Sequence, residues 1–86
     1  MRIKILFARL VRGAVANVRF SDFRAVMEGF GFQLVRQTGS HHIFKHPLVQ
    51  ELANLQEVRG EAKPYQIRQV LRIIERYNLI MKGKNE

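Results

Sequence analysis

Two β-prone runs, "FQLVRQ" (Phe32–Gln37) and "HHIFKH" (His41–His46), are separated only by Thr38-Gly39-Ser40, a turn-forming cluster. A connection that short joins antiparallel strands, whereas parallel strands need a long crossover. Pro47 ends the second run, because it has no N–H to give to a ladder. Neighbouring side chains of a strand point to opposite faces, so His42, Phe44 and His46 share one face and His41, Ile43 and Lys45 the other. The hairpin holds all three histidines of the chain and divides them. His41 and His42 therefore cannot both serve one site on a regular strand, and periodicity alone does not choose between them. His46 stands where it helps to end the strand.

Helical patterns flank the hairpin. "MRIKILFARLVRG" carries Ile3, Leu6, Phe7, Leu10 and Val11 at helical spacing, with Gly13 as a stop. Its cationic polar face is compatible with a membrane surface, but such a stripe more often packs against the domain or a partner chain. Ser21-Asp22 reads as an N-cap for a second helix lined by Phe23, Val26, Met27 and Phe30, its end bracketed by Gly29 and Gly31. Glu51–Val58 is a weaker third strand. Pro64 suits the first position of a closing helix, whose apolar stripe is Ile67, Val70, Leu71, Ile74 and Tyr77. Arg68, Arg72 and Arg76 recur every four residues as a separate row. The order predicts one α+β domain over residues 1–86, a small antiparallel three-stranded sheet backed by helices. Within it, 1–19 form a helical extension, 20–79 the core and 80–86 a polar, frayed tail.

Composition narrows the chemistry. The chain has no cysteine, which excludes disulfides, thiolate zinc sites and cysteine nucleophiles. The N-terminus lacks the pattern of a signal peptide, and no apolar run is long enough to span a bilayer, so a soluble cytoplasmic protein is expected. Fifteen Lys and Arg against seven Asp and Glu give a formal charge of +8, which favours polyanionic partners.

The histidines lack the acidic or thiolate company that completes a metal site. One of them on a basic surface has the titration range for general-base catalysis at neutral pH. RNA cleavage needs little more, since the 2′-hydroxyl is a built-in nucleophile and no metal or other cofactor is required. Lys63 before the closing helix is a natural phosphate contact, and Arg68 and Arg72 would extend it. Lys45 and Ser40 accompany the hairpin histidines.

"GFGFQLVRQTGSHHIFKHP" and "GEAKPYQIRQVLRIIERYNL", in that order and spacing, resemble the HicA family, small toxins of bacterial toxin–antitoxin pairs. The resemblance covers about Phe20 to Leu79. It implies a fold similar to the double-stranded-RNA-binding domain, metal-independent cleavage of mRNA, and neutralisation by a HicB-type antitoxin. The family's catalytic histidine, in its Gly-Ser-His motif, maps onto His41, with His42 one residue away as the reserve. Many members carry Val-Pro-x-His on the third strand, where this chain has "LANLQEV", so that second histidine has no counterpart here. Residues 1–19 lie outside the family core and are available to cover the sheet, to self-associate or to meet an antitoxin.

The expectation is thus a HicA-like endoribonuclease with His41 as general base and Ser40, Lys45, Lys63, Arg68 and Arg72 toward RNA. The alternatives are a non-catalytic RNA-binding module using the same basic face, and a protein-interaction domain docking through its cationic first helix.

Overall fold

The computed structural model describes residues 2–82. Its elements run α1 (Ile3–Val11), α2 (Phe20–Gly29), β1 (Gln33–Thr38), β2 (His41–Lys45), β3 (Ala53–Val58), β4 (Glu61–Ala62) and α3 (Pro64–Arg76). The strands form one antiparallel sheet in the order β1-β2-β3-β4. The fold is α+β, as expected, with a fourth strand added to the expected three. β4 is two residues long and shows no strand pattern of its own in the sequence, because its pairing depends on distant partners. It joins β3 through the two-residue turn Arg59-Gly60, and on its other side Arg19 bridges Glu61 while Ala62 N–H donates to the Val18 carbonyl.

That outer pairing also sets where α2 begins. Phe20 N–H donates to the Gly60 carbonyl at 2.8 Å, so the helix starts from Arg19 without a side-chain cap. The expected N-cap Ser21-Asp22 falls instead inside the first turn, where Asp22 still complements the positive helix end. In the β1–β2 hairpin, Thr38 pairs with His41, so the loop is Gly39-Ser40 alone. Gly39 takes φ +59° at its first central position, which a type II′ turn reserves for glycine.

α2 and α3 bury their stripes on one face of the sheet. Phe44, Ala53 and Leu55 meet Phe23, Val26, Met27, Ile67, Val70, Ile73 and Ile74 in a single core. Ile73, absent from the expected stripe, is buried, and Leu71 is half-buried. Burying a side chain such as Phe44 contributes about 1.5–3 kcal/mol relative to leaving it exposed. The buried Gln66 turns its Oε1 back to accept the Gln56 N–H at 2.8 Å, joining the first turn of α3 to β3. α1 packs on α2 through Leu6 and Leu10, with Phe7 tilted against Phe30 at 4.8 Å. The stripe offered by the sequence for self-association is therefore largely covered by the chain itself, while Ile5 and Val11 stay exposed.

Two polar devices fix the ends of these elements. His46 lies just past β2 and is buried; its Nε2–H donates to the Phe30 carbonyl at 2.8 Å, and its Nδ1 accepts the Leu48 N–H at 3.0 Å. Both ring nitrogens are committed, which holds one neutral tautomer and ties the end of α2 to the β2–β3 loop. Gly31 makes room for the ring, since a Cβ there would stand 3.0 Å from Nε2, and its φ of +100° suits glycine. At the other end of the loop, Glu51 accepts the Tyr77 hydroxyl at 2.8 Å and pairs with Arg76 at 2.9 Å.

The tail departs from expectation. Through Lys82 it is held: Leu79 is buried, Met81 packs on the core, and Lys82 N–H donates to the Gly29 carbonyl at 2.7 Å. The rest of the expected frayed tail, residues 83–86, lies outside the described residues.

Two outcomes follow for stability. His46→Ala orphans a buried carbonyl and an amide, and is expected to cost about 1–3 kcal/mol for each buried group left unsatisfied. A lower urea midpoint at unchanged slope would register it. The Tyr77 hydrogen bond and then Glu51's own backbone hold the Glu51 carboxyl below its ordinary 4.5; burial opposes them, and the Arg76 charge adds to the lowering. A depressed carboxylate stabilises the fold above its unfolded pKa and loses that contribution as pH falls through the folded value. Tyr77→Phe is therefore expected to narrow the loss of stability between neutral pH and acid well below 4.5, measured by urea unfolding at both.

Candidate functional site

The strand register defines the face that α2 and α3 leave uncovered. Four rows cross it: Thr38–His41–Gln56, Arg36–Ile43–Asn54, Gln33–Lys45 and, at the β4 edge, Val58–Glu61. His41, Lys45 and Arg36 are exposed on it, and among these rows only Glu61, on the short edge strand β4, is acidic. The β1–β2 part of this face carries cations and no carboxylate, and such a surface attracts anions.

Ser40 is fixed at the rim. Its carbonyl accepts the Glu57 N–H at 2.9 Å and the His42 Nδ1–H at 3.0 Å, and its hydroxyl lies 3.5 Å from Gln56 Nε2. The turn that carries Gly-Ser-His is thus anchored through its backbone, while the Ser40 and His41 side chains stay in solvent.

The two neighbouring histidines have opposite surroundings, as alternation along the strand requires. His42 is buried on the helix side, 4.5 Å from the Phe20 ring centroid. Because a carbonyl can only accept, the bond to Ser40 puts the proton on Nδ1. Its Nε2 faces Glu57 Oε1 at 3.9 Å, too long for a hydrogen bond. Among the described residues, the His41 side chain makes no hydrogen bond, so both of its nitrogens face solvent.

The basic residues expected to accompany His41 fall into two groups. Lys45 shares its face. Arg68 and Arg72 belong to α3, which packs on the other side of the sheet, and Lys63 is its N-cap, beside Val58 and Glu61 at the β3–β4 end. Lys63 is half-buried at the N-cap, with Nζ 5.8 Å from the centroid of the Tyr65 ring. Arg68 and Arg72 are exposed, while Arg76 is held by Glu51. The two groups are not brought into one cluster. Between β3 and α3, Glu51, Asn54, Gln69, Arg72 and Arg76 line a groove together with Leu55 and Val70.

Arg36 is the residue of this face that the sequence did not single out. The signal was hidden because strict alternation from Leu34 puts Arg36 on the helix side. An irregularity between Leu34 and Arg36 reverses it. Among the described residues, no three His, Asp or Glu side chains gather as metal ligands, and no helix is long and apolar enough to cross a membrane.

A protein-family model described as the HicA toxin of bacterial toxin–antitoxin systems matches residues 20–75. The match begins at the first residue of α2 and takes in the whole sheet and nearly all of α3, leaving α1 outside. No curated protein and no solved structure gives a significant match.

Proposed function

The chain belongs to the HicA toxin family, and from that premise we propose that it is an endoribonuclease that cleaves mRNA in the cytoplasm without a metal, with His41 as its general base. His41 takes the proton from a ribose 2′-hydroxyl, and O2′ attacks the adjacent phosphorus. The O2′–P bond forms as the P–O5′ bond breaks, and the leaving O5′ is protonated by the imidazolium or by water. The products are a 2′,3′-cyclic phosphate and a 5′-hydroxyl end. RNA supplies its own nucleophile, so the protein has to move a proton and hold the phosphate.

The observation that carries this reading is the division of the imidazoles. His46 spends both nitrogens on backbone groups and His42 is buried with Nδ1 on the Ser40 carbonyl, whereas His41 is open to solvent on the open face, where the β1–β2 pairs around it hold no acid. A base must reach its proton within hydrogen-bond distance of a bound substrate, and His41 is placed for that. Lys45 holds a neighbouring phosphate on the same face. Lys63, Arg68 and Arg72 take the strand further along its backbone, past the groove at the β3 edge. Ser40 shapes the turn and faces the same nucleotide. A HicB-type antitoxin is the protein partner that the family implies.

Cleavage of single-stranded RNA by the wild type and by His41→Ala, both with EDTA present, tests this. The wild type is expected to cut, and His41→Ala to lose about 10²–10⁴-fold in rate while keeping its RNA affinity. His42→Ala is expected to act first on stability, lowering the melting temperature. Intact RNA in every lane with binding retained would leave an RNA-binding module in place of an enzyme.

A further inference from the structure

We propose that Arg36 is a catalytic residue of this chain, donating hydrogen bonds to the non-bridging oxygens of the scissile phosphate; the inference rests on the ribonuclease reading above. Three observations on the open face lead to it.

The first is distance. Transition-state charge gathers on the phosphate next to the 2′-oxygen that His41 deprotonates, so the stabilising cation must stand beside His41. Lys45 lies four residues further along the same strand, about 13 Å away at ~3.3 Å per residue. Arg36 sits opposite Ile43, and Thr38 sits opposite His41. That makes Arg36 the diagonal cross-strand neighbour of His41, at about 7–8 Å between backbones and within reach of long side chains. Arg68 and Arg72 belong to α3, whose stripe packs on the other face, and Lys63 stands at its N-cap, past the edge strand β4.

The second is the irregularity in β1. Leu34 pairs with buried Phe44, so regular alternation would place Arg36 opposite buried His42, on the helix side. The register shifts between Leu34 and Arg36, so Arg36 instead meets Ile43 on the open face. A one-residue shift flips every later side chain, and bulges re-aim side chains beside active sites. Here the shift delivers a guanidinium to the face that holds His41.

The third is availability. Arg24 and Arg76 are engaged by Glu28 and Glu51, whereas Arg36 is exposed with no ion-pair partner among the described residues. The planar fork of a guanidinium can bond two phosphate oxygens at once, which a lysine cannot do. Arg36 transfers no proton in this scheme. The O2′ proton goes to His41, the O2′–P bond replaces P–O5′, and Arg36 binds the negative charge that builds on the non-bridging oxygens during that exchange.

The test separates rate from affinity. Arg36→Gln is expected to lower the single-turnover cleavage rate at saturating RNA by about 10²–10³-fold, the cost of removing one such donor. Its affinity for the same oligonucleotide carrying 2′-O-methyl groups, which cannot react, should be little changed. Arg36→Lys should recover part of the rate. A double variant, Arg36→Gln with Gln37→Arg, keeps the net charge but moves the guanidinium opposite His42, and should remain slow. Unchanged melting temperatures would show that the exposed substitutions leave the fold intact. Cleavage that survives Arg36→Gln, a rate loss matched by an equal loss of affinity, or recovery in the double variant would overturn the inference alone. Failure of the wild type to cleave would overturn the ribonuclease reading and this role with it.

Discussion

Phe44 has no exposed surface and sits at the fourth of the five positions of β2, between Leu34 on β1 and Ala53 on β3. Its burial fixes the register of the hairpin, because a slip of one residue would expose the ring and bury Lys45 in its place. That single choice sends His42 and His46 toward the helices and His41 toward solvent. Truncating a buried phenylalanine costs about 3–5 kcal/mol, several times the ~0.5–1.5 kcal/mol net worth of an ordinary hydrogen bond. The register is therefore set by packing, and the polar groups adapt to it. His42 finds the Ser40 carbonyl and His46 finds Phe30 and Leu48, so neither buried ring is left unsatisfied.

How much of this was legible in the sequence follows from the range of each interaction. Alternation along β2, the stop at Pro47 and the start of α3 at Pro64 are local effects, and each stands where the residues put it. The separation of the three histidines was legible for the same reason. β4 was not, because two residues have no periodicity and their strand character comes from Val18, Arg19 and β3. The N-cap of α2 was misplaced because a carbonyl from Gly60 does what a cap would do. Arg36 was missed because an irregularity in β1 depends on cross-strand pairing, and alternation read from one strand gives the opposite face. The α3 arginines looked equivalent in sequence, yet Glu51 from a loop 25 residues earlier holds Arg76.

The charge of the chain is also distributed more selectively than its total suggests. Acidic residues answer some of the cations: Glu28 holds Arg24, and Glu51 holds Arg76 while anchoring Tyr77. Residues 1–21 contain five Arg and Lys and no acid. This part lies outside the matched family region, apart from its last two residues, and packs through Leu6 and Leu10 on α2. The extension thus adds positive charge on the helix side without disturbing the sheet. The β1–β2 part of the open sheet face is cationic for a different reason: Glu57 belongs to the buried parity of β3 with its carboxylate toward His42, and Glu61, paired with Val58, lies out on the edge strand β4.

A site on the face of a sheet differs physically from one on loops. The backbone of β2 is held on both sides by β1 and β3, so the separation of His41, Arg36 and Gln56 is set by strand spacing and register. Ordering costs are met when the chain folds, and binding RNA then has to order few protein groups. Such a face is shallow, however, and excludes little water. Its electrostatic interactions are screened more than those in a closed pocket, which puts a premium on cations close to the reacting phosphate over cations further along the strand. By that measure the residues beside His41 matter more to the rate, and the α3 row more to holding the rest of the RNA. The register that buries Phe44 thus also decides which basic residues act on the chemistry.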